Sequence, residues 1–266
     1  MPPARTSTKS AEQMALPKQQ EATTQLTDHD WPSEALRCAA DLVQATGPDR
    51  QICVLDVGAH RGETFLHISS LIRGDLSYFG FEPNPESFAV LAALEEQERT
   101  AGRSAVFSPV AVGAKPGSVA FRIANASEVS GILLPEAELR DRVPTGDHGL
   151  KDTLEVEQIS IDDFVAEKQL ARVDVLKIDT EGYDLEVIRG ATQSLRQELV
   201  DVVVCEVFFV KYRENQAYFW DIATELANLG FSFVNLFDAR NTGQGRLYTA
   251  NAIWVSPNLS LKLGYL

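Results

Sequence analysis

Between Ile52 and Val255, short apolar runs alternate with segments of helical period, and no unit repeats. That alternation confines the chain to few folds. The run Ile52-Cys53-Val54-Leu55-Asp56-Val57 is of the kind buried on both faces, as strands of a parallel sheet are. In the next long segment, about Pro85 to Arg99, the apolar residues Phe88, Val90, Leu91 and Leu94 no longer alternate, so the period has switched from two to about 3.6. Strand and helix in alternation predict an α/β, doubly wound sheet. In such sheets ligands sit at the carboxyl ends of the strands where the winding reverses, so the residues leaving each strand are the ones to read for function.

The pattern predicts strands over residues 52–57, 76–81, 105–112, 154–159, 173–179, 202–208, 231–236 and 250–255, and helices over 31–45, 63–72, 85–99, 161–170, 183–196 and 216–229. Lys115-Pro116-Gly117 is a turn signal, and the run 119–123 behind it reads as a local hairpin with 105–112. Residues 1–30, rich in Gln, Thr, Ser, Lys and Pro, read as a disordered tail, and residues 31–266 as a single domain. Residues 124–153, carrying Ser130-Gly131, Pro135, Pro144, Gly146 and Gly149, read as an irregular excursion, either a lid, a binding loop or disorder.

Composition excludes some partners. The formal net charge is −14, and a net-acidic surface repels both duplex phosphates and anionic membrane, so neither nucleic acid nor a membrane surface is expected as a partner. At 44% hydrophobic and 23% charged residues the chain has the balance of an ordinary globular protein. It has no apolar stretch near the ~18 residues a bilayer span needs, and no apolar core of a signal peptide at the N-terminus. Cys38, Cys53 and Cys205 are a sparse, odd set, expected as core thiols in a reducing cytoplasm.

Three strand exits concentrate chemistry. The first, Asp56-Val57-Gly58-Ala59-His60-Arg61-Gly62, is a D-x-G-x-x-x-G turn opening a helix; it suits a close-passing ligand or tight packing alone, and it departs from the dinucleotide pattern G-x-G-x-x-G. The second ends in Glu82-Pro83-Asn84-Pro85, where an acid can accept both hydroxyls of a ribose or simply face solvent. The third, Lys177-Ile178-Asp179-Thr180-Glu181, puts three ionisable groups at alternate positions and so on one face if the strand runs that far. Such groups are costly at a central strand end unless paired or used, which makes Lys177, Asp179 and Glu181 the foremost candidates for chemistry. Glu206, a carboxylate inside Val202-Val203-Val204-Cys205-Glu206-Val207, also wants a partner.

Taken in order, VLDVGAHRG, FGFEPNPESFAVL, VDVLKIDTEGYDLEVIRGA and VVVCEV resemble the FkbM family of S-adenosylmethionine-dependent methyltransferases over about Ile52 to Val255. The KID-x-EG segment is the specific part. The resemblance implies a mostly parallel, seven-stranded Rossmann-like methyltransferase sheet with helices on both faces. It implies S-adenosylmethionine as cofactor, with Asp56, Gly58, Ala59 and Gly62 along its methionine and ribose side, Glu82 on the ribose and Val110-Ala111-Val112 beside the adenine. The activity implied is O-methylation of a hydroxyl on a sugar or polyketide-type small molecule. His60, Thr180 and Asp184 replace the family's usual Asn, Val and Glu, and His60 titrates near neutral pH.

An attacking alcohol must lose its proton, so Asp179 is expected as base or acceptor-orienting group, with Lys177, Glu181 and His60 in support. A lesser expectation gathers Asp179, Glu181 and Glu206 as hard-oxygen ligands for Mg²⁺. Arg140, Arg142, His148 and Lys151 concentrate positive charge where the acceptor would enter. Two other readings compete. A nicotinamide-dependent oxidoreductase would need the missing G-x-G-x-x-G turn, and a non-catalytic binding module would show a decayed acidic cluster. Protein acceptors are a further alternative. The sequence does not fix the oligomeric state.

Overall fold

The computed structural model describes residues 33–47, 50–101, 104–134 and 149–265. The expectations for residues 1–30, and for Arg140, Arg142 and His148, lie outside the described residues.

Seven strands form the main sheet, in the order β3 (Ser104–Ser108), β2 (Leu76–Phe81), β1 (Ile52–Val57), β7 (Val173–Ile178), β8 (Val200–Phe208), β10 (Leu247–Val255) and β9 (Ser232–Asn241). All pairs from β3 to β8 are parallel, and β10 runs antiparallel to both neighbours. The winding reverses between β1 and β7. Every residue of β7 is buried, as expected of a strand covered on both faces.

Helices cover both faces. Residues of α4 (Ile161–Glu167), α5 (Asp184–Arg189), α6 (Thr192–Arg196) and α7 (Phe219–Asn228) join one core cluster around Leu55, Leu176 and Trp254. Those of α1 (Glu34–Gln44), α2 (Glu63–Leu71), α3 (Pro85–Thr100) and α8 (Pro257–Leu263) join another around Val54, Tyr78 and Val175. Each fully buried aliphatic side chain adds about 1.5–3 kcal/mol. Helix α8 escapes the sequence reading because it is a single short piece after Ser256-Pro257.

Packing across the two ends of the chain uses a cap. Asp238 of β9 accepts the Ser33 hydroxyl at 2.7 Å, the Glu34 N–H at 3.1 Å and the Asn251 side-chain amide at 3.0 Å, so it closes the start of α1. Losing such a cap costs about 1 kcal/mol, and Asp238→Ala is expected to lower the unfolding free energy by that amount, seen in urea titration as a lower midpoint with an unchanged slope.

Four expectations need correction. Residues 105–112 are two strands, because Pro109 has no N–H to donate and ends β3 at Ser108. The remainder, β4 (Ala111–Val112), leaves for a separate three-stranded sheet, β4-β6-β5. There β5 (Gly117–Ala124) pairs antiparallel with β6 (Leu150–Ile159), and β4 lies parallel to β6, so the local hairpin does not form. Residues 124–153 are thus ordered strand at both ends, and the intervening described stretch holds a 3-10 turn at Ser127–Val129. The predicted helix 183–196 is broken at Gly190-Ala191. A Cβ on Gly190 would stand 2.0 Å from the Gly113 carbonyl oxygen, and Asp162 caps α6 through the N–H groups of Gln193 and Ser194.

Candidate active site

The reversal point between β1 and β7 holds a buried charge network. Lys177 Nζ stands 3.1 Å from Asp56 Oδ1, 3.5 Å from Asp179 Oδ2 and 3.1 Å from the Gly58 carbonyl it donates to. Asp56 is fully buried, and its Oδ2 accepts the Tyr78 hydroxyl. Burial pushes the Asp56 carboxyl up, against the pull of Lys177 and Tyr78. Burial alone would lower the Lys177 ammonium, but Asp56 and Asp179 outweigh it and hold it charged. Asp56 therefore shapes the first turn from below, and Asp179, with 37% of its side chain exposed, is the member of the network that faces solvent.

Gly58 fixes how these two turns meet. Its φ is +83°, and a Cβ there would fall 1.9 Å from the Asp179 carbonyl oxygen, so a side chain at 58 would drive the β1 and β7 turns apart. The Asp179 N–H in turn donates to Val57 O at 2.9 Å. The N–H groups of Gly58 and Ala59 both donate to Phe81 O at the end of β2. Gly62, at φ +93°, then starts α2.

Glu82 follows β2 and is 6% exposed. Its oxygens accept the His60 N–H at 2.9 Å and the Asn84 N–H at 2.8 Å, leaving acceptor capacity on each. Burial raises its carboxyl to about 7 against those two bonds. The Glu82 N–H donates to Ser108 O, which brings the chain leading to Ala111 alongside it. Ala111 itself is buried in β4.

His60 is held at both ring nitrogens, by Glu63 Oε1 at 3.2 Å and by the Ser127 hydroxyl at 2.9 Å. Burial would lower its pKa, but Glu63 prevails and raises it, while Glu63 itself, despite burial, is drawn down to about 2 by His60. The Glu63 to His60 to Ser127 chain sits beside Glu82 rather than beside Asp179.

The β7 exit is a tight turn with two left-handed residues, Glu181 at φ 56° and Gly182 at φ 94°. Asp184 makes it possible by accepting the N–H groups of Thr180 and Gly182, both at 3.0 Å, and burial raises its carboxyl to about 7. An acid raised from its ordinary value stabilises the fold fully below that value and loses the contribution as pH rises through the folded one. Glu82 and Asp184 therefore make the chain more stable near pH 5 than near pH 8, which thermal melts at the two pH values would register.

Asp179, Glu181 and Glu206 each offer a carboxylate oxygen, all within 4.8 Å of one another. Each already has a partner: Lys177 for Asp179, Arg213 at 2.5 Å for Glu181, and the Thr249 hydroxyl at 3.2 Å for Glu206. Burial, Asp179 and Glu181 together push the Glu206 carboxyl well up. Lys151, expected on the acceptor side, is engaged with Glu86 at 2.5 Å on the surface. Cys38 and Cys53 are half-buried, Cys205 is buried, and all three are free thiols.

Sequence reasoning missed three residues of this neighbourhood: Tyr78, Ser127 and Arg213. Tyr78 carried a usable signal, a phenol at mid-strand beside an acid-bearing strand. Ser127 and Arg213 lie in irregular segments and carried none.

A sheet that is parallel but for one strand beside its edge, with acids gathered where the winding reverses, is the Rossmann-like arrangement. The chain belongs to the FkbM methyltransferase family: the family description that matches, methyltransferase FkbM domain, spans residues 56–233. It is 27% identical over 187 residues to the hexuronic acid methyltransferase AglP of Haloferax volcanii, covering 70% of this chain and 69% of that one. Among solved structures, a methyltransferase FkbM from Methylobacillus flagellatus KT superposes with a TM-score of 0.49 at 13% identity, over 80% of this chain and 47% of its own. The chain thus spans about half the length of that FkbM structure. The magnesium protoporphyrin IX methyltransferase of Synechocystis PCC 6803, solved with bound SAM, gives 0.45 at 12% identity, over 84% of this chain and 77% of its own. No helix among the described residues is long and apolar enough to cross a membrane.

Proposed function

We propose that the chain transfers a methyl group from S-adenosylmethionine to a hydroxyl of a sugar or natural-product-type small molecule. The observation that carries this reading is the partly exposed Asp179 held by buried Lys177 at the reversal point, with Glu82 one strand beyond β1. Family membership and the hexuronic acid methyltransferase relative support the sugar acceptor.

The residues suit the cofactor. Glu82 retains acceptor capacity for the two ribose hydroxyls, and the Gly58-Ala59 turn beside it would take the methionine portion. When bound, S-adenosylmethionine supplies an electrophilic methyl group. Asp179 accepts the proton of the acceptor hydroxyl on a carboxylate oxygen. Lys177 fixes that carboxylate in place, and Asp56 fixes Lys177 from below. Glu181 and Glu206 complete an acidic wall toward which a sugar's hydroxyls can donate. The reading needs no metal, and the comparisons lend Mg²⁺ no support.

Calorimetric titration with S-adenosylmethionine and S-adenosylhomocysteine, with NAD as control and Mg²⁺ as a variable, tests the cofactor; methyl transfer to glucuronic acid and to glucose then tests the acceptor class. Micromolar binding of the first two and none of NAD is the expected result. No binding, with or without Mg²⁺, would shift the reading to a non-catalytic chain on the same fold.

Glu82 gives a sharper check. The ionised carboxylate is the stronger acceptor, so affinity for S-adenosylmethionine is expected to rise about tenfold from pH 6 to pH 8. The Glu82→Gln variant should bind about tenfold more weakly at pH 8 and lose the pH dependence. A pH response that survives the substitution would remove Glu82 as its source.

A further inference from the structure

The segment Ser127–Leu134 is fastened to both sides of the reversal point. On the β1 side, the Ser127 hydroxyl meets His60 Nε2 at 2.9 Å. On the β7 and β8 side, Arg213 Nη2 donates to Val129 O at 2.8 Å and, at 2.5 Å, to Glu181 Oε2, while Nη1 reaches Leu133 O at 3.5 Å. Arg213 is 2% exposed and rests on the Tyr212 ring, its guanidinium carbon 4.9 Å from the centroid.

One guanidinium therefore serves a carboxylate at the edge of the crevice and two carbonyls of the segment above it. Other contacts follow the same course. A Cβ on Gly131 would lie 3.4 Å from Glu181 Cβ, and Leu134 O accepts the Glu214 N–H at 2.8 Å. Between them, the Gly131 and Arg122 backbones exchange two bonds, at 2.9 and 3.0 Å, which tie the segment back to β5. Arg213 touches none of Asp56, Gly58 or Glu82 in any of these bonds. A buried cation matched to one carboxylate and two carbonyls is poorly replaced by lysine, which lacks the planar fork.

We propose that Arg213 is a positioning residue: it joins Glu181 and the Ser127–Leu134 segment into one unit, and that unit walls the acceptor side of the crevice without serving the cofactor. The acceptor assignment rests on the function proposed above; the fastening does not. It also gives the Glu181 carboxylate its fixed place, since a left-handed residue in a turn has little else to orient its side chain.

Hydrogen exchange by mass spectrometry on the full chain, paired with S-adenosylhomocysteine affinity, tests this. Arg213→Met is expected to speed exchange at least about tenfold in peptides covering 127–134 and 180–183 while changing that affinity less than about threefold. Arg213→Lys keeps the pair with Glu181 but cannot reach both carbonyls. It should recover most of the protection at 180–183 and little at 127–134, a split that general loosening does not produce. Unchanged exchange at 127–134 in both variants overturns the assignment, and so does acceleration across the whole sheet with affinity falling in parallel. If Arg213→Met fails to fold, the Lys variant decides by the same split. S-adenosylhomocysteine that fails to bind the unaltered chain overturns the cofactor reading instead, and the exchange split still reads the fastening independently.

Discussion

Asp179→Asn is expected to lower methyl transfer by about 10²- to 10⁴-fold, the range over which a positioned base contributes. The amide keeps the shape of the carboxylate and cannot take the proton. Affinity for S-adenosylmethionine should stay within about threefold, because the Asp179 side chain makes no direct bond to Glu82 or the β1 turn, and its backbone N–H, which holds Val57, is untouched. Steady-state rates with a glucuronic acid acceptor, alongside calorimetry, separate the two. Equal turnover would remove Asp179 from the chemistry, and equal loss of binding and turnover would make it a cofactor group.

Lys177→Met should be the most damaging substitution for the fold. The methionine matches the stem in length but strands Asp56, which is fully buried and left with the Tyr78 hydroxyl alone. Breaking a buried pair by removing one partner costs about 3–5 kcal/mol. The loss has a direction in pH. Without Lys177 the Asp56 carboxyl rises further, so the folded state holds a proton that the unfolded chain releases above its ordinary value near 4. The destabilisation is therefore expected to be small near pH 4 and to grow as pH rises through the folded value. Urea titrations at pH 5 and pH 8 would show it as a larger fall in midpoint at pH 8. The same fall at both values would mean that Lys177 acts through packing of its stem.

The sheet was legible where a strand's own residues declare it. Ile52–Val57 and Val173–Ile178 are buried runs with nothing to interrupt them, and their exits carry the acids that converge at the reversal point. Alternation would put Lys177, Asp179 and Glu181 on one side only if the strand ran that far; β7 ends at Ile178, so Lys177 pairs with Asp179 while Glu181, in the turn beyond, pairs with Arg213. What failed was partnership. Residues 105–112 read as one strand because Pro109 is a single letter among apolar ones, and β5 found β6 some thirty residues on rather than the strand before the turn. The fastening at Arg213 was equally out of reach. It is 32 positions from Glu181 and 84 from Val129, and no local period links residues that meet only once the chain has crossed the sheet.

The three-stranded side sheet has a consequence for how such a chain can diversify. Because β5 and β6 pair with each other, and β4 anchors them through two residues, the stretch between Ala124 and Leu150 begins and ends at neighbouring points outside the seven-stranded sheet. Doubling the length of a connection so closed costs only about 0.6 kcal/mol in chain entropy. Insertions or deletions there leave the turn that carries Asp56 and the turn that carries Asp179 at their spacing. On the function proposed above, acceptor choice is then free to change in this connection while the residues assigned to catalysis stay where they are.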